Sequence, residues 1–226
     1  MIFTYDTLDS TNEEAKRMLA SGKISAAPLG QPVAVCADTQ TAGKGTQGRQ
    51  WVSPKGAGIY FSIIHTGVTP SGGETLVLTS LYTQAAGLAC AEALKTLFGL
   101  DVRLKPVNDL YALCPKEGRH KKLGGILVES MIQQGQLLGL VSGIGINLSN
   151  VERKLSNASN AHPDISPVSL EELLDTPKWL QVNHPQHREE FLSLLIERVD
   201  YWYQRINTSA SGVGDDIVER CARISV

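Results

Sequence analysis

Residues 122–147 read KLGGILVESMIQQGQLLGLVSGIGIN, two aliphatic runs separated by a short polar stretch. The runs cover 123–129 and 137–146, and residues 133–136 (QQGQ) between them include the glycine that a tight turn favours. This pattern predicts two adjacent strands joined as a β-hairpin. The other predicted elements can be placed around this hairpin.

Shorter strand-like and helical segments flank the hairpin along the chain. β-Branched and aromatic runs predict strands, whereas apolar residues three or four apart predict helices. The predicted strands outside the hairpin cover 32–37, 59–64, 102–105 and 110–113, and the predicted helices cover 11–19, 76–98 and 191–202. At the entrance to the first helix, Ser10 with Glu13 and Thr11 with Glu14 form two overlapping capping boxes. Strands with a few long helices predict an α+β fold, a mixed β-sheet packed against helices.

The connecting segments and the end of the chain are predicted from their composition. Residues 70–73 (PSGG) predict a tight turn, 115–121 a basic turn, and 149–167, rich in Ser, Asn and Pro, a surface loop. Residues 217–226 have enough apolar side chains to add an edge element to the sheet.

Overall composition is that of a globular protein. Of the 226 residues 42% are hydrophobic and 19% charged, and the formal net charge is -2. This near balance gives no global electrostatic reason to expect DNA or an anionic membrane as a partner. Polar residues interrupt the longest apolar stretch, 76–98, so we expect no membrane span, and the N-terminus has no secretory signal.

Cysteine and histidine spacing gives no support to a metal site. The four cysteines stand far apart without a Cys-x-x-Cys pair, which favours reduced thiols and a cytoplasmic location. His184 and His187 have a spacing that a metal ion can use, but Pro185 between them indicates the start of a helix. We therefore predict no metal bound by the chain's own ligands alone.

A glycine-rich loop at 42–49 (AGKGTQGR) combines three glycines with Lys44 and Arg49. Glycines let a backbone approach a ligand closely, and exposed N–H groups with cationic side chains attract anions. The loop lacks the Gly-Lys-Ser/Thr ending of a P-loop. It is therefore either a phosphate or carboxylate site or an ordinary surface loop.

A second set of candidates lies between 103 and 122. Its basic members are Arg103, Lys105, Arg119, His120, Lys121 and Lys122. Such a cluster is either an anion site or a solvated face. Lys122 differs from its neighbours because it stands where a polar loop meets an apolar strand, a common location for functional groups. Asn108-Asp109 fits turn chemistry equally well, and Ser10-Thr11-Asn12 fits helix capping.

Taken in order, these segments resemble the catalytic domain of biotin protein ligases. The matching blocks are Ser10-Thr11-Asn12, Gln40 followed by 43–49 and Trp51, 105–110, 122–129, and Gly143-Ile144-Gly145-Ile146-Asn147. Each block is weak alone, but five in the right order over 10–147 are specific. The resemblance implies the mixed sheet with helices of the biotin/lipoate ligase superfamily, which is similar to class II aminoacyl-tRNA synthetases.

The resemblance also implies a reaction and a role for each matching residue. Biotin and ATP, with Mg²⁺, give biotinyl-5'-AMP, and biotin then passes to a lysine of a biotin carboxyl carrier protein. Lys122 would bridge the biotin carboxylate and the α-phosphate, and Asp109 would surround the adenylate or line the pocket. The charge of Asp109 and its position beside Asn108 also make it our candidate to orient or deprotonate the acceptor amine. The other implied biotin or adenylate contacts are Ser10, Thr11, Asn12, Gln40, Gly43, Lys44, Gly45, Thr46, Arg49, Trp51, Lys105, Asn108, Gly125, Gly143, Ile144 and Asn147.

Two departures from the family pattern have expected consequences. The family loop reads Gly-Arg-Gly-Arg-Arg-Gly-Arg, whereas residues 43–49 read GKGTQGR, so Thr46 replaces a cation and we expect weaker retention of the adenylate. The family segment Lys-Trp-Pro-Asn-Asp becomes KPVND at 105–109, which removes an aromatic wall near the ligand.

The domain organisation follows from where the matching blocks begin and end. We expect a catalytic domain over 1–206 and a tail over 207–226 that is a remnant of, or a replacement for, the family's small C-terminal β-barrel. Because the blocks begin at Ser10, we expect no N-terminal DNA-binding domain and no DNA partner. The resemblance also allows a homodimer.

Two other functions stay open at this point. A lipoate or octanoate ligase or transferase shares the implied fold and a catalytic lysine, although its arginine- and histidine-containing signature is absent here. A non-catalytic homologue that binds biotin or a nucleotide is the other alternative.

Overall fold

The computed structural model describes residues 1–24, 32–67, 75–106, 108–149, 166–208 and 213–226. Seven strands and six α-helices form within these residues. In chain order the elements are β1 (Ile2–Leu8), α1 (Thr11–Ala20), β2 (Val33–Gln40), β3 (Gly58–His65), α2 (Thr75–Phe98), β4 (Val102–Lys105), β5 (Asp109–Cys114), β6 (Arg119–Gln133), β7 (Gln136–Asn147), α3 (Leu170–Leu173), α4 (Thr176–Asn183), α5 (Pro185–Thr208) and α6 (Val213–Arg223).

All seven strands belong to one mixed sheet in the order β1-β2-β3-β7-β6-β5-β4. β1 pairs with β2 in parallel, and every other neighbouring pair is antiparallel. The predicted hairpin is confirmed as β6 and β7, and its turn lies at Gln134 and Gly135, which both have positive φ. The α+β fold predicted from the sequence is therefore confirmed.

One face of the sheet packs against α2, α5 and α6 and carries the main core. Alternate residues of the strands, among them Phe61, Ile126 and Ile144, contact this layer and are buried. Because side chains alternate between the two faces of a strand, their neighbours in sequence point away from this core. Helix α2 is apolar almost all round, as expected for a helix between a sheet and further helices.

The opposite face of the sheet is covered over β2, β3, β6 and β7 by the short helix α1. A smaller buried cluster joins Ala15, Met18 and Leu19 of α1 to Val35 and Val141 of the sheet. Helix α1 is only ten residues long, so it covers part of this face. Helix α1 does not cover the part of this face formed by β4, β5 and the start of β6.

Several local predictions need correction. Strand β6 begins at Arg119, so residues 119–121 are not part of a turn, and Lys122 lies inside a strand instead of at a junction. Ser10 is the N-cap of α1, but neither capping box is present as a side-chain cap, because the Ser10 side chain makes no capping bond. Residues 46–48 form a short 3₁₀ turn within the glycine-rich loop.

The C-terminal residues also differ from the expected edge element. Most of 217–226 belongs to α6, whose Ile217 and Cys221 are buried in the main core. Only the last residues reach the sheet edge, where Val226 N donates to Leu104 O at 3.0 Å. The domain boundary between 206 and 207 stays a prediction.

Some predictions fall outside the described residues. They are the turn at 70–73, most of the surface loop at 149–167, and the missing aromatic wall at Val107. No helix within the described residues has the length and apolar character needed to cross a membrane.

Candidate active site

A β-bulge in β6 determines which way Lys122 points. Tyr111 of β5 pairs with Lys122 and Leu110 pairs with Gly124, so Leu123 is the extra residue. Leu123 is fully buried in the main core. The bulge brings Lys122 onto the same face as Gly125, although plain alternation would place residues three apart on opposite faces.

The main chain of Lys122 is held on its other side by residues 166–168. Lys122 N donates to Ser166 O at 2.9 Å, and Lys122 O accepts from Val168 N at 2.9 Å. The Asn147 side chain adds a bond from Nδ2 to Lys122 O at 3.2 Å and another to Val168 O at 3.1 Å. Asn147 therefore fixes the backbone from which the Lys122 side chain projects.

Lys122 and Asp109 form an ion pair on the face that α1 shares. Lys122 Nζ lies 2.6 Å from Asp109 Oδ1, and the side chains are 14% and 15% exposed. Asp109 is placed by its neighbour, because Asn108 Nδ2 donates to Ile126 O at 3.2 Å and Asn108 O accepts from Ile126 N at 2.8 Å. A cation and a carboxylate are thus fixed together on rigid strands, as a catalytic pair requires.

The indole of Trp51 lies over two glycines of the central hairpin. A Cβ atom at Gly145 would be 2.6 Å from the indole, and one at Gly125 would be 3.1 Å from it. Lys122 Nζ is 5.4 Å from the centroid of the indole ring, within cation–π range. The indole of Trp51 therefore occupies the space that a larger residue at Gly125 or Gly145 would need.

A polar network links the start of α1 to β2 and β3. Gln40 Oε1 accepts from Thr11 N at 2.8 Å and from Thr11 Oγ1 at 3.2 Å, while Gln40 Nε2 donates to Ser53 Oγ at 2.8 Å. Ser62 Oγ lies 2.7 Å from Thr11 Oγ1 and 2.6 Å from Asn12 Oδ1. Ser10 is buried beside this network. The structure therefore brings together Ser10, Thr11, Asn12 and Gln40, as the sequence predicts.

Asn12 connects this network to the central hairpin. Its Nδ2 donates to Glu129 Oε2 at 2.7 Å and to Leu127 O at 3.3 Å. A Cβ atom at Gly143 would collide with Asn12 Oδ1, so glycine is required for α1 to sit this close to β7. Gly143 thus has a packing role at the edge of the site.

The glycine-rich loop is tied to itself and to α1. Arg49 Nη2 donates to Thr46 Oγ1 at 2.9 Å, Arg49 Nε donates to Thr46 O at 3.1 Å, and Gly45 N donates to Arg49 O at 2.7 Å. Lys44 Nζ donates to Glu13 Oε1 at 2.6 Å. The hydrogen bond from Lys44 is the largest of the effects that hold the pKa of Glu13 below its ordinary value.

An alternating chain of charges extends from Glu13 into the sheet. Lys16 Nζ lies 3.1 Å from Glu13 Oε1 and 2.6 Å from Glu129 Oε1, and Glu129 binds Asn12. The glycine-rich loop is therefore connected to β6 through α1. Because Lys44 is already bound to the Glu13 carboxylate, an anion that binds Lys44 must compete with Glu13.

Of the predicted site residues, Ile144 lies on the opposite face of the sheet, and Lys105 lies at the β4 end of the face that carries Asp109. Ile144 faces the main core on the opposite side of the sheet, because it alternates with Gly143 and Gly145. Lys105 is exposed at the end of β4, where its Nζ lies 5.4 Å from the centroid of the Tyr111 ring. Within the described residues, neither side chain forms a hydrogen bond or ion pair with Lys122 or Asp109, although Lys105 pairs in register with Asp109 across β4 and β5.

Sequence reasoning missed several residues of this site. The sequence predicts Glu13 only as a helix-capping residue, and it predicts no role for Lys16, Ser62, Glu129 or Tyr111. Ser62 and Glu129 are polar residues inside aliphatic strand patterns, which is the signal that can identify such positions. Tyr111 carries a buried hydroxyl with no hydrogen-bond partner among the described residues.

The described residues contain no group of three or more His, Cys, Asp or Glu side chains that could hold a metal ion. Mg²⁺ commonly binds through substrate phosphates with one or two carboxylates, rather than in a cage of protein ligands. A Mg²⁺ ion held mainly by the phosphates of a nucleotide would not require such a group.

Comparisons with known proteins match this chain to a family of protein ligases. The profile of the Biotin/lipoate A/B protein ligase family matches residues 5–147. The bifunctional ligase/repressor BirA of Salmonella typhimurium is 38% identical over 119 residues, which cover 51% of this chain and 33% of that protein. The biotin--[acetyl-CoA-carboxylase] ligase of Paracoccus denitrificans is 30% identical over 202 residues, covering 88% and 72%.

A solved structure extends the likeness to the whole fold. The biotin protein ligase from Aquifex aeolicus in complex with biotin and ATP has a TM-score of 0.67 at 23% identity, and the match covers 100% of this chain and 78% of that chain. The resemblance at this identity concerns the fold alone. The chain spans about a third of the length of the Salmonella relative.

Proposed function

Because the chain belongs to the Biotin/lipoate A/B protein ligase family, we propose that it joins biotin to a protein lysine through an adenylate. The substrates are biotin, ATP and the acceptor lysine of a biotin carboxyl carrier protein. Mg²⁺ accompanies the ATP phosphates. The observation that carries the proposal is the Lys122–Asp109 pair, fixed beside the indole of Trp51 and the two glycines beneath it.

In the first step a carboxylate oxygen of biotin attacks the α-phosphorus of ATP, and pyrophosphate leaves. Two anions must approach each other, so a cation at the point of contact lowers the barrier. Lys122 Nζ is the cation in position to bridge the carboxylate and the α-phosphate. Lys44 and Arg49 supply further positive charge from the glycine-rich loop.

In the second step the acceptor amine attacks the acyl carbon of the adenylate, and AMP leaves. A lysine amine has an ordinary pKa of about 10.4, so it must lose a proton before it can attack. Asp109 would receive that proton once the ligand draws Lys122 away, and its ion pair with Lys122 supports this role. Lys122 then acts in the first step and Asp109 in the second.

The remaining polar residues hold the biotin end of the ligand. Thr11, Gln40 and Ser62 present hydroxyl and amide groups in a buried network, which suits the donors and acceptors of a ureido ring. Asn108 and Asn147 bind main-chain groups, so we assign them to positioning Asp109 and Lys122.

The test is incubation with Mg-ATP and either biotin, lipoate or octanoate, followed by mass spectrometry of the acyl adenylate and of an acceptor domain. We expect products from biotin alone. Products from lipoate or octanoate alone would identify the other ligase of this family, and biotin binding without product would indicate a binding protein. In an Asp109→Asn variant we expect adenylate formation with slow transfer, which separates the two steps.

A further inference from the structure

The face that carries Lys122 and Asp109 continues toward the β4 edge as an exposed surface. Val102, Leu104, Leu110 and Ala112 point into the main core, so the alternate residues of β4 and β5 point to the other side. The exposed residues of this surface, here called the basic face, are Arg103 and Lys105 of β4, Leu113 of β5 and His120 of β6.

The basic face carries an excess of positive charge in a chain whose net charge is negative. On this stretch of β4, β5 and the start of β6, the only carboxylate that faces the same way among the described residues is Asp109. Asp109 is paired with Lys122. Asp101 precedes β4, and its carboxylate is 2.6 Å from Lys95 Nζ. Arg103 lies near Asp101, where its charge helps Lys95 to lower the pKa of that carboxyl group, and its Nη1 donates to the main-chain oxygen of Arg223 at 3.4 Å. Within the described part of the chain, neither Arg103 nor His120 forms an ion pair with a carboxylate.

An apolar residue stands within this charged surface. Leu113 is 50% exposed and pairs in register with His120, which is exposed as well. No described element covers Leu113, and an exposed apolar residue surrounded by charges is a common feature of interaction surfaces.

The position of the basic face relative to the site limits what can dock there. Trp51 lies over Gly125 and Gly145 on one side of Lys122, and α1 covers the strands beyond them. Among the described residues, this leaves the side over β4 and β5 for a protein whose lysine reaches Asp109. The surface that it meets is the basic face.

We propose that the basic face docks the acceptor domain, which presents acidic side chains around its lysine and an apolar side chain against Leu113. This inference rests on the proposed function. Charges at the rim of an interface mainly increase the association rate and make binding depend on salt. The basic face then selects the acceptor and takes no part in adenylate formation.

The test is the affinity of a fluorescently labelled biotin carboxyl carrier domain for the protein, measured by anisotropy at low and high salt. We expect Arg103→Glu to raise Kd by about threefold to tenfold at low salt and by less at high salt. Lys178→Glu is the matched control, because Lys178 is an exposed cation of α4 that lies outside the basic face. Leu113→Asp has its own control in Leu97→Asp, since Leu97 is 42% exposed on α2.

Pyrophosphate exchange with biotin and ATP shows whether the site itself is intact. We expect the exchange rate of Arg103→Glu and Leu113→Asp to stay within about twofold of the unmodified protein. Equal Kd values for each variant and its control, or no binding by the unmodified protein, would overturn the docking proposal. Absence of exchange in the unmodified protein would instead overturn the proposed function, and the Kd comparison would still decide whether the basic face binds the carrier domain.

Discussion

Lys44 Nζ lies 2.6 Å from Glu13 Oε1, so the first cation of the glycine-rich loop is already bound to a carboxylate of α1. The Lys44 side chain is 45% exposed and that of Glu13 is 31% exposed. Such a pair contributes modestly to stability, ~0.2–1 kcal/mol. Its larger effect is on ligand binding, because a carboxylate or phosphate that approaches Lys44 competes with Glu13.

Glu13→Gln removes this competing charge and keeps the shape of the side chain. We expect the biotinyl adenylate to bind about twofold to fivefold more tightly, which corresponds to the energy of a partly exposed pair. Isothermal titration with a non-hydrolysable adenylate analogue measures the change. The alcohol analogue of biotin lacks the carboxylate and serves as the control, with unchanged affinity. Weaker binding of the adenylate analogue would show that the pair instead holds the loop in position for the ligand.

The central hairpin could be predicted because its signal is local. Aliphatic runs on both sides of 133–136 specify β6 and β7, and the hydrogen bonds between them follow from the turn. The order of the remaining strands depends on long-range pairing, and the sequence does not predict it. The family resemblance identified Lys122, Asp109 and the residues around Gln40.

The orientation of Lys122 could not be predicted from periodicity. Strict alternation would place Lys122 and Gly125 on opposite faces, and only the bulge at Leu123 brings them together. The partners of α1 are also tertiary: Glu13 fits a capping residue by sequence, but its carboxylate binds Lys44 of the glycine-rich loop. Local propensity does not specify which charged side chains meet across 30 or more residues.

Removing Lys122 tests the first half of the proposed reaction. We expect Lys122→Ala to slow adenylate formation by about 10²–10³, the usual effect of losing one group that stabilises developing charge. Lys121→Ala is the matched control, because Lys121 is the next residue and its side chain binds Glu117. Pyrophosphate exchange measures both rates, and a thermal melt shows whether each variant is folded. A rate for Lys122→Ala close to that of the control would remove Lys122 from the mechanism.

A single methyl group at Gly143 is expected to disrupt the contact between α1 and β7. The added Cβ meets Asn12 Oδ1, so Asn12 must move away from Ser62 and Glu129. We expect Gly143→Ala to reduce the free energy of unfolding by about 1–3 kcal/mol and to weaken biotin binding, since overpacking shifts neighbouring groups. Urea unfolding and biotin titration measure the two effects.

The control for this substitution is Gly214→Ala in α6. A Cβ at Gly214 meets only Leu81, at 3.8 Å, so it fits without displacement. Alanine also favours a helix over glycine by up to about 1 kcal/mol, so this variant is expected to be slightly more stable. If both variants unfold at the same urea concentration, the Asn12 contact is not what requires glycine at 143.

Thr46 is the position where the loop lacks a cation that the family pattern contains. We expect Thr46→Arg to lengthen the time for which the adenylate stays bound, although it also removes the oxygen that accepts from Arg49. Added positive charge near the phosphate outweighs one partly exposed hydrogen bond. The half-life of the adenylate in a chase experiment measures retention, and Thr46→Val, which removes the hydroxyl alone, is the control. Equal half-lives for Thr46→Arg and the unmodified protein would show that charge at 46 does not hold the intermediate.

His65 makes the stability of the fold depend on pH. Its imidazole is buried at the end of β3, 4.1 Å from the centroid of the Tyr203 ring, and Nε2 has no hydrogen-bond partner among the described residues. Burial lowers the pKa of His65 to about 3. The unfolded chain keeps an ordinary histidine pKa of about 6.5, so below that pH it takes up a proton that the folded protein does not.

The contribution of neutral His65 to the free energy of unfolding is therefore fully present above pH 6.5 and is lost as the pH falls toward 3. The lost contribution is about 2 kcal/mol between pH 7 and pH 5. Urea unfolding at several pH values measures it, and His65→Phe keeps an aromatic ring but cannot titrate. Between pH 7 and pH 5, we expect the free energy of unfolding of His65→Phe to fall by about 2 kcal/mol less than that of the unmodified protein. This interval lies above the range in which carboxylates such as Asp9, with a pKa of about 2, become protonated. Parallel pH profiles for the two proteins would mean that His65 is protonated in the folded state, and that the packing around Tyr203 admits a charge.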